Sequence, residues 1–266
     1  METPPSDPGR ERDRWRSAAP PPLPTVPASG PRTGASGGGL GAGAWALTAL
    51  SMAVSIAFYA FQWSWPFATV FVALILVHEF GHLVAARRFG LRTGPPIFIP
   101  MMGAFISLKQ RPANAWEEAV VGIGGPLFGT FAAGVCLMVR NATGNPFWGE
   151  LAFYGFLLNL FNLAPAGFLD GGRIVAAISP WLWIPGYALL AAYVVYIAMV
   201  QHSLPFISIY ILLTGLPRLI SLFRERDTFE QRYYAIDPGQ KLTMGVAYFG
   251  LILLLVGGLY VARPLP

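Results

Sequence analysis

Two histidines and a glutamate stand inside an apolar run at residues 75–88, "ILVHEFGHLVAARR". His78 and His82 are four residues apart, so on a helix they share one face, a turn apart. Two imidazoles so placed can hold one Zn²⁺. Glu79 follows the first histidine and is placed to act as general base on a water that the metal activates. Arg87 marks the end of the apolar run, and His78 lies nine residues before it, ~13 Å deeper along a helix axis. An unpaired charge at that depth costs roughly 2.5 kcal/mol or more. A helix with incidental polar residues near its end is therefore a poor account of the three.

A hydrolytic zinc site keeps three protein ligands and one open position, so a third ligand is owed. His202 is the one remaining histidine, and the charge pattern below sends it to the opposite end of the bundle. Asp170, in "NLFNLAPAGFLDGGR", is expected at the same membrane face as the histidine pair. Pro165, Gly167, Gly171 and Gly172 around it interrupt a helix and let the backbone bend toward a neighbour. Alone, an Asp before Gly-Gly reads as an ordinary turn; beside an incomplete zinc pair it reads as the ligand.

The elements that must position these groups are set by composition. The chain has 266 residues, 55% hydrophobic and 12% charged, with mean hydropathy +0.53, against about 25% charged in a soluble domain. The expected fold class is an α-helical polytopic membrane protein with about six to seven transmembrane helices. Apolar runs fall at about 43–62, 67–86, 118–139, 147–168, 181–201, 205–223 and 242–262. Most approach the ~20 residues that cross a bilayer. Residues 1–40 are rich in Pro, Gly, Ser and Arg and read as a disordered cytoplasmic tail, leaving 41–266 as the membrane-embedded domain. The run begins too late for a signal peptide. No second soluble domain and no internal repeat is expected. The lone Cys136 excludes an internal disulfide framework and reads as a packing residue.

The net charge of +5 raises nucleic acid as a partner; the placement of the charges argues for topology instead. With the N-terminus in the cytoplasm, sixteen of the eighteen Lys and Arg residues fall on that side, and Arg140 and Arg263 fall outside, as the positive-inside rule requires. Merging the fifth and sixth runs would expel the basic cluster at 218–241, so they are read as separate spans. The expected location is the cell membrane, multi-pass, with no nucleic-acid partner.

"HEFGH" followed by "NLAPAGFLDGG" resembles the site-2 protease family of intramembrane zinc metalloproteases. Asn162, Pro165, Leu169, Asp170 and Gly171 match that family's second motif. "GPPIFIPMMGAFISLKQRP" is similar to its membrane-associated β-hairpin near the active site, and "GIGGPLFG", 122–129, to its Gly-Pro stretch. The resemblance covers about residues 67–178. It implies cleavage of transmembrane segments of other membrane proteins, with His78, His82 and Asp170 as zinc ligands, Glu79 as catalytic base and Asn162 on the substrate backbone or oxyanion. No PDZ domain is expected between the core spans and no CBS domain after the last span, which departs from the family. For Asn162 a clamp between helices is the alternative, the role also open to Asn159. For the hairpin, an edge strand for an unwound substrate and a lipid-facing plug stand level. A zinc transporter or sensor would leave Glu79 without a task. An inactive scaffold usually lacks a ligand or the base, and neither is missing here.

Overall fold

A computed structural model describes residues 42–223 and 228–263; the expectations for the 1–40 tail lie outside the described residues. Each of the seven apolar runs contains a helix: α1 (Ala42–Ala60), α2 (Trp65–Arg88), α3 (Ala115–Thr143), α4 (Pro146–Asn162), α6 (Trp183–Val200), α7 (Phe206–Ile220) and α9 (Pro238–Ala262). The short helices α5 (Asp170–Ile178) and α8 (Thr228–Tyr234) complete the helical set, and β1 (Thr93–Ile99) and β2 (Gly103–Leu108) form an antiparallel hairpin. Among the described residues, six helices are long and apolar enough to cross a membrane. The protein is a polytopic helical membrane protein.

Local chemistry sets the helix ends. Ser64 caps α2 by accepting from the Phe67 N–H, with Pro66 in the first turn, where its missing donor costs nothing. Arg87 and Arg88 close that helix, favourably placed for its dipole. Asn114 caps α3 through the Glu117 N–H, and Gly144, with φ of 68°, ends it. Helix α4 is shorter than its apolar run. The run reaches residue 168, but the helix stops at Asn162, because Pro165 lacks a donor and Gly167 turns at φ 57°. Its 17 residues reach ~26 Å. The chain then restarts as α5, with Asp170 at its first position, an element the hydropathy pattern did not indicate. The fifth and sixth runs are separate helices, α6 and α7.

Helix α3 is the hub, packed on α2, α4 and α5. Small residues make this possible. A Cβ on Gly81 of α2 would strike the Gly124 carbonyl of α3, and one on Gly124 would lie 2.6 Å from the Gly81 carbonyl oxygen. The two backbones are therefore in direct contact, as small residues permit between membrane helices. Helix α9 covers α4 and α5.

The hairpin pairs Ile97 with Phe105 and Ile99 with Gly103, with a register irregularity between Thr93 and Pro96. Its β1 strand is held by hydroxyls of α1. Thr48 Oγ1 donates to the Pro96 carbonyl at 2.9 Å, Ser51 Oγ accepts from the Phe98 N–H at 3.2 Å, and Tyr59 Oη accepts from the Met101 N–H at 3.1 Å. Thr48, Ser51, Ser55 and Tyr59 recur at helical spacing on one face, and side chains of α1 take the place of a third strand.

Candidate metal centre

His78 and His82 project from the same face of α2, and both are buried. Their Nε2 atoms are 3.1 Å apart. Asp170 Oδ2 lies 3.2 Å from each. The third donor arrives because α4 ends early and residues 163–169 turn back across the bundle. Neighbours fix that turn. Tyr248 Oη of α9 donates to the Leu163 carbonyl at 2.7 Å. The Gly167 N–H donates to Tyr187 Oη of α6 at 2.9 Å. Gly171 tucks beneath the Leu163 and Ala164 carbonyls, where a Cβ would collide with both.

The protonation pattern tests whether a cation belongs at this point. His82 Nδ1 is 2.7 Å from the Val121 carbonyl. A carbonyl only accepts, so this nitrogen carries the proton. His78 Nδ1 is 2.8 Å from Asn159 Oδ1, and Asn159 Nδ2 donates to the Gly155 carbonyl at 2.7 Å. That second bond turns the amide oxygen toward His78, so His78 Nδ1 is also the donor. In their neutral forms both Nε2 atoms then present lone pairs, to each other and to a carboxylate. Three electron-rich atoms at 3.1–3.2 Å suit a shared cation. Tetrahedral zinc with bonds of about 2.0–2.1 Å would separate its ligands by about 3.3 Å. The donor set and its spacing fit zinc.

Glu79 is buried, and a carboxylate oxygen of it lies within 4.8 Å of the histidine donors. All four groups line a cavity of about 650 Å³ shared by α2, the hairpin, the α4–α5 turn and α7. Asn162 and Arg173 line it as well. Asn162 spends one amide hydrogen on the Leu158 carbonyl of its own helix at 3.0 Å. His202 is exposed in the α6–α7 turn. Cys136 is buried within α3 among apolar side chains.

Sequence reasoning singled out the three donors and Glu79 and raised Asn159 as a clamp between helices, but missed that Asn159 and a backbone carbonyl support the imidazoles. Asn159 and the Val121 carbonyl orient the imidazoles, a role for which metal-bound histidines regularly need a partner. Gly125 of α3 lies against both Nε2 atoms, and Gly129 lies against the Asn159 amide; a Cβ at either would occupy that space. The signal available was the Gly-rich "GIGGPLFG" itself, in which Gly125 and Gly129 face the imidazoles and Asn159 while Gly124 meets the backbone of α2.

Residues 66–145 match the model of peptidase family M50. The matched segment contains His78, Glu79, His82 and the glycine stretch; Asn162 and Asp170 lie beyond it. A zinc metalloprotease of Methanocaldococcus jannaschii is 33% identical over 118 residues, which cover 42% of this chain and 33% of that protein. A putative zinc metalloprotease of Mycobacterium tuberculosis is 31% identical over 126 residues, covering 44% and 30%. A probable chloroplastic zinc metalloprotease of Arabidopsis thaliana is 27% identical over 161 residues, covering 42% and 28%. The chain spans about a third of the length of these curated relatives.

Proposed function

We propose that this chain, whose residues 66–145 belong to peptidase family M50, the site-2 protease family, is an intramembrane zinc metalloprotease acting on transmembrane segments of other membrane proteins. The observation that carries the reading is the triangle of His78 Nε2, His82 Nε2 and Asp170 Oδ2, buried in a membrane helix bundle beside an unligated glutamate. His78, His82 and Asp170 would hold the metal, and zinc held there would lower the pKa of a water toward ~7 and polarise a carbonyl oxygen. Glu79 takes the proton of the attacking water and delivers it to the leaving amine. Asn162 keeps its amide oxygen and its second N–H for the substrate backbone.

Apolar side chains dominate the rest of the cavity, among them Trp63, Phe71, Phe105 and Phe161, which suits an apolar substrate segment. Residues of β2 line it too, which favours the hairpin as an edge for an unwound strand over a lipid-facing plug. The charge asymmetry supports a cytoplasmic N-terminus in a cell membrane.

The test is cleavage of a model transmembrane substrate by the purified protein in liposomes. Wild type is expected to cleave, and Glu79→Gln to lose turnover while keeping zinc. Near-normal turnover in Glu79→Gln would remove the base assignment. Zinc movement across the bilayer without proteolysis would replace the protease with a transporter.

A further inference from the structure

Arg173 carries a charge that the site as described does not use. It lies one turn after Asp170 on α5, so the two side chains share a face. Its stem packs over Gly122 of α3, where an added Cβ would lie 3.5 Å from its own. Its side chain is half-buried and lines the same cavity as His78, Glu79, His82 and Asp170. Among the described residues it has neither a hydrogen-bond partner nor an ion-pair partner, although two carboxylates share its cavity. Asp170 is committed to the imidazoles, and Glu79, although its carboxylate feels the charge of Arg173, makes no direct ion pair with it. A guanidinium carries five donors and cannot shed its charge. Left unpaired in a mostly apolar cavity, it is costly unless something else occupies it.

The charge balance says what that is. A divalent cation on the triangle cancels the two carboxylates, and Arg173 remains as surplus. The cavity thus holds one positive charge for which it has no anion of its own. Hydrolysis places one within its reach: as Glu79 takes the proton of the attacking water, the negative charge passes from its carboxylate to the scissile oxygen. As water attacks the scissile carbonyl carbon, the C=O π pair moves onto the oxygen. When the C–N bond then breaks and the amine takes its proton, that oxygen stays in the new carboxylate.

We infer that Arg173 is a further catalytic residue: its guanidinium donates to the oxygen of the scissile carbonyl as it becomes anionic, and then holds the new terminal carboxylate of the N-terminal product. This rests on the protease reading above. The planar fork matches two carboxylate oxygens at once, which a lysine does not. An oxyanion donor contributes chiefly to kcat, on the order of a hundredfold or more, and little to KM.

The test uses full-length protein with wild-type residue 173, Arg173→Lys or Arg173→Met. Zinc content and thermal stability are measured for each. In a Glu79→Gln background, binding of one apolar acetylated peptide is compared in two forms, ending in a carboxylate or in a carboxamide. The protein with Arg173 is expected to favour the carboxylate at least tenfold, Arg173→Met to lose that preference, and Arg173→Lys to keep part of it, all with zinc retained. With Glu79 present, Arg173→Met is expected to lose roughly a hundredfold in kcat at nearly constant KM. An undiminished carboxylate preference in Arg173→Met would overturn the assignment. Zinc loss from that variant would also overturn it, leaving Arg173 a structural support. Failure of wild type to cleave any membrane substrate strikes the protease reading alone, because the peptide comparison still decides whether Arg173 binds the anion.

Discussion

His78 donates from Nδ1 to Asn159 Oδ1 at 2.8 Å, and this one bond ties the HEFGH helix α2 to α4, the helix whose end leads into the turn before Asp170. It fixes the His78 tautomer, aims Nε2 at the metal position and joins α2 to α4 on the inner side of the bundle. Asn159 is itself held, by its bond to the Gly155 carbonyl and by contact with Gly129. Loss of such an outer partner typically costs 10–100-fold in metal affinity. Asn159→Ala is therefore expected to weaken zinc binding by about that factor. Asp170→Ala removes a donor atom and should weaken it more; Asn162→Ala should barely change it. Competition against a graded series of chelators measures all three, and any other ranking would separate the Asn159 bond from metal binding.

Gly125 has no substitute. A methyl there would displace both Nε2 atoms, whereas a Cβ on Gly134, nine residues along the same helix, meets nothing within 4 Å. Alanine is the better helix former by about 1 kcal/mol. Gly134→Ala is thus expected to be neutral or slightly stabilising, and Gly125→Ala to lose zinc while the helices still insert. Metal analysis of the two purified variants, with circular dichroism for helix content, makes the comparison.

Arg218 of α7 braces the segment that leads into Asp170. It pairs with Glu118 of α3 at 3.2 Å, lies 4.9 Å from the centre of the Trp183 ring and reaches the Gly167 carbonyl at 3.5 Å. Trp183 in turn donates to the Gly172 carbonyl at 2.8 Å, so the segment is gripped on both sides of Asp170. Tyr233 Oη completes the group by donating to Glu118 at 2.7 Å. Burial, and then the charge of Glu118, push the Tyr233 hydroxyl above the usual tyrosine range, so it remains a donor throughout neutral pH. Arg218→Gln is expected to cost about 1–3 kcal/mol in stability and to weaken zinc binding several-fold, with Arg218→Lys restoring the ion pair but not the stacking. Thermal unfolding with and without saturating zinc separates the two effects. Equal losses in both conditions would mean that the grip does not reach Asp170.

The sequence made visible what is local or compositional. His78, Glu79 and His82 sit within one helical turn and a half, so their geometry follows from spacing alone. The spans follow from hydropathy. Asp170 was recoverable because a zinc pair lacks a ligand and helix breakers surround one acid. Asn159 was not, because an asparagine on an apolar helix has several partners open to it, and only the packing of α4 on α2 selects one. Hydropathy overran the end of α4, since Leu163, Ala164, Ala166 and Phe168 read as a continuing span while Pro165 and Gly167 stop the helix. Counting charges placed Arg173 in a cytoplasmic loop; the unforeseen α5 turns it into the cavity.

The hydroxyl face of α1 was equally hidden, because Ser and Thr in membrane helices commonly bond back to their own backbone, as Thr48 also does to the Ala44 carbonyl at 3.3 Å. Its bonds to β1 supply the last prediction. Thr48, Ser51 and Tyr59 each hold one backbone group of the hairpin region, at about 0.5–1.5 kcal/mol apiece. The triple variant Thr48→Val, Ser51→Ala, Tyr59→Phe should then raise local opening of the hairpin by roughly a hundredfold. Ser55 lies on the same face, buried, with no hydrogen-bond partner for its hydroxyl among the described residues, so Ser55→Ala should leave the hairpin unchanged or slightly steadier. Hydrogen exchange across residues 93–108 reads both variants. Zinc content should not change in either, because none of the substituted groups bonds to His78, His82 or Asp170. If the hairpin is the edge that receives the substrate, the triple variant also raises KM with kcat little altered. Exchange as slow in the triple variant as in wild type would show that the hairpin is held by its apolar contacts with α2 and not by the hydroxyls of α1.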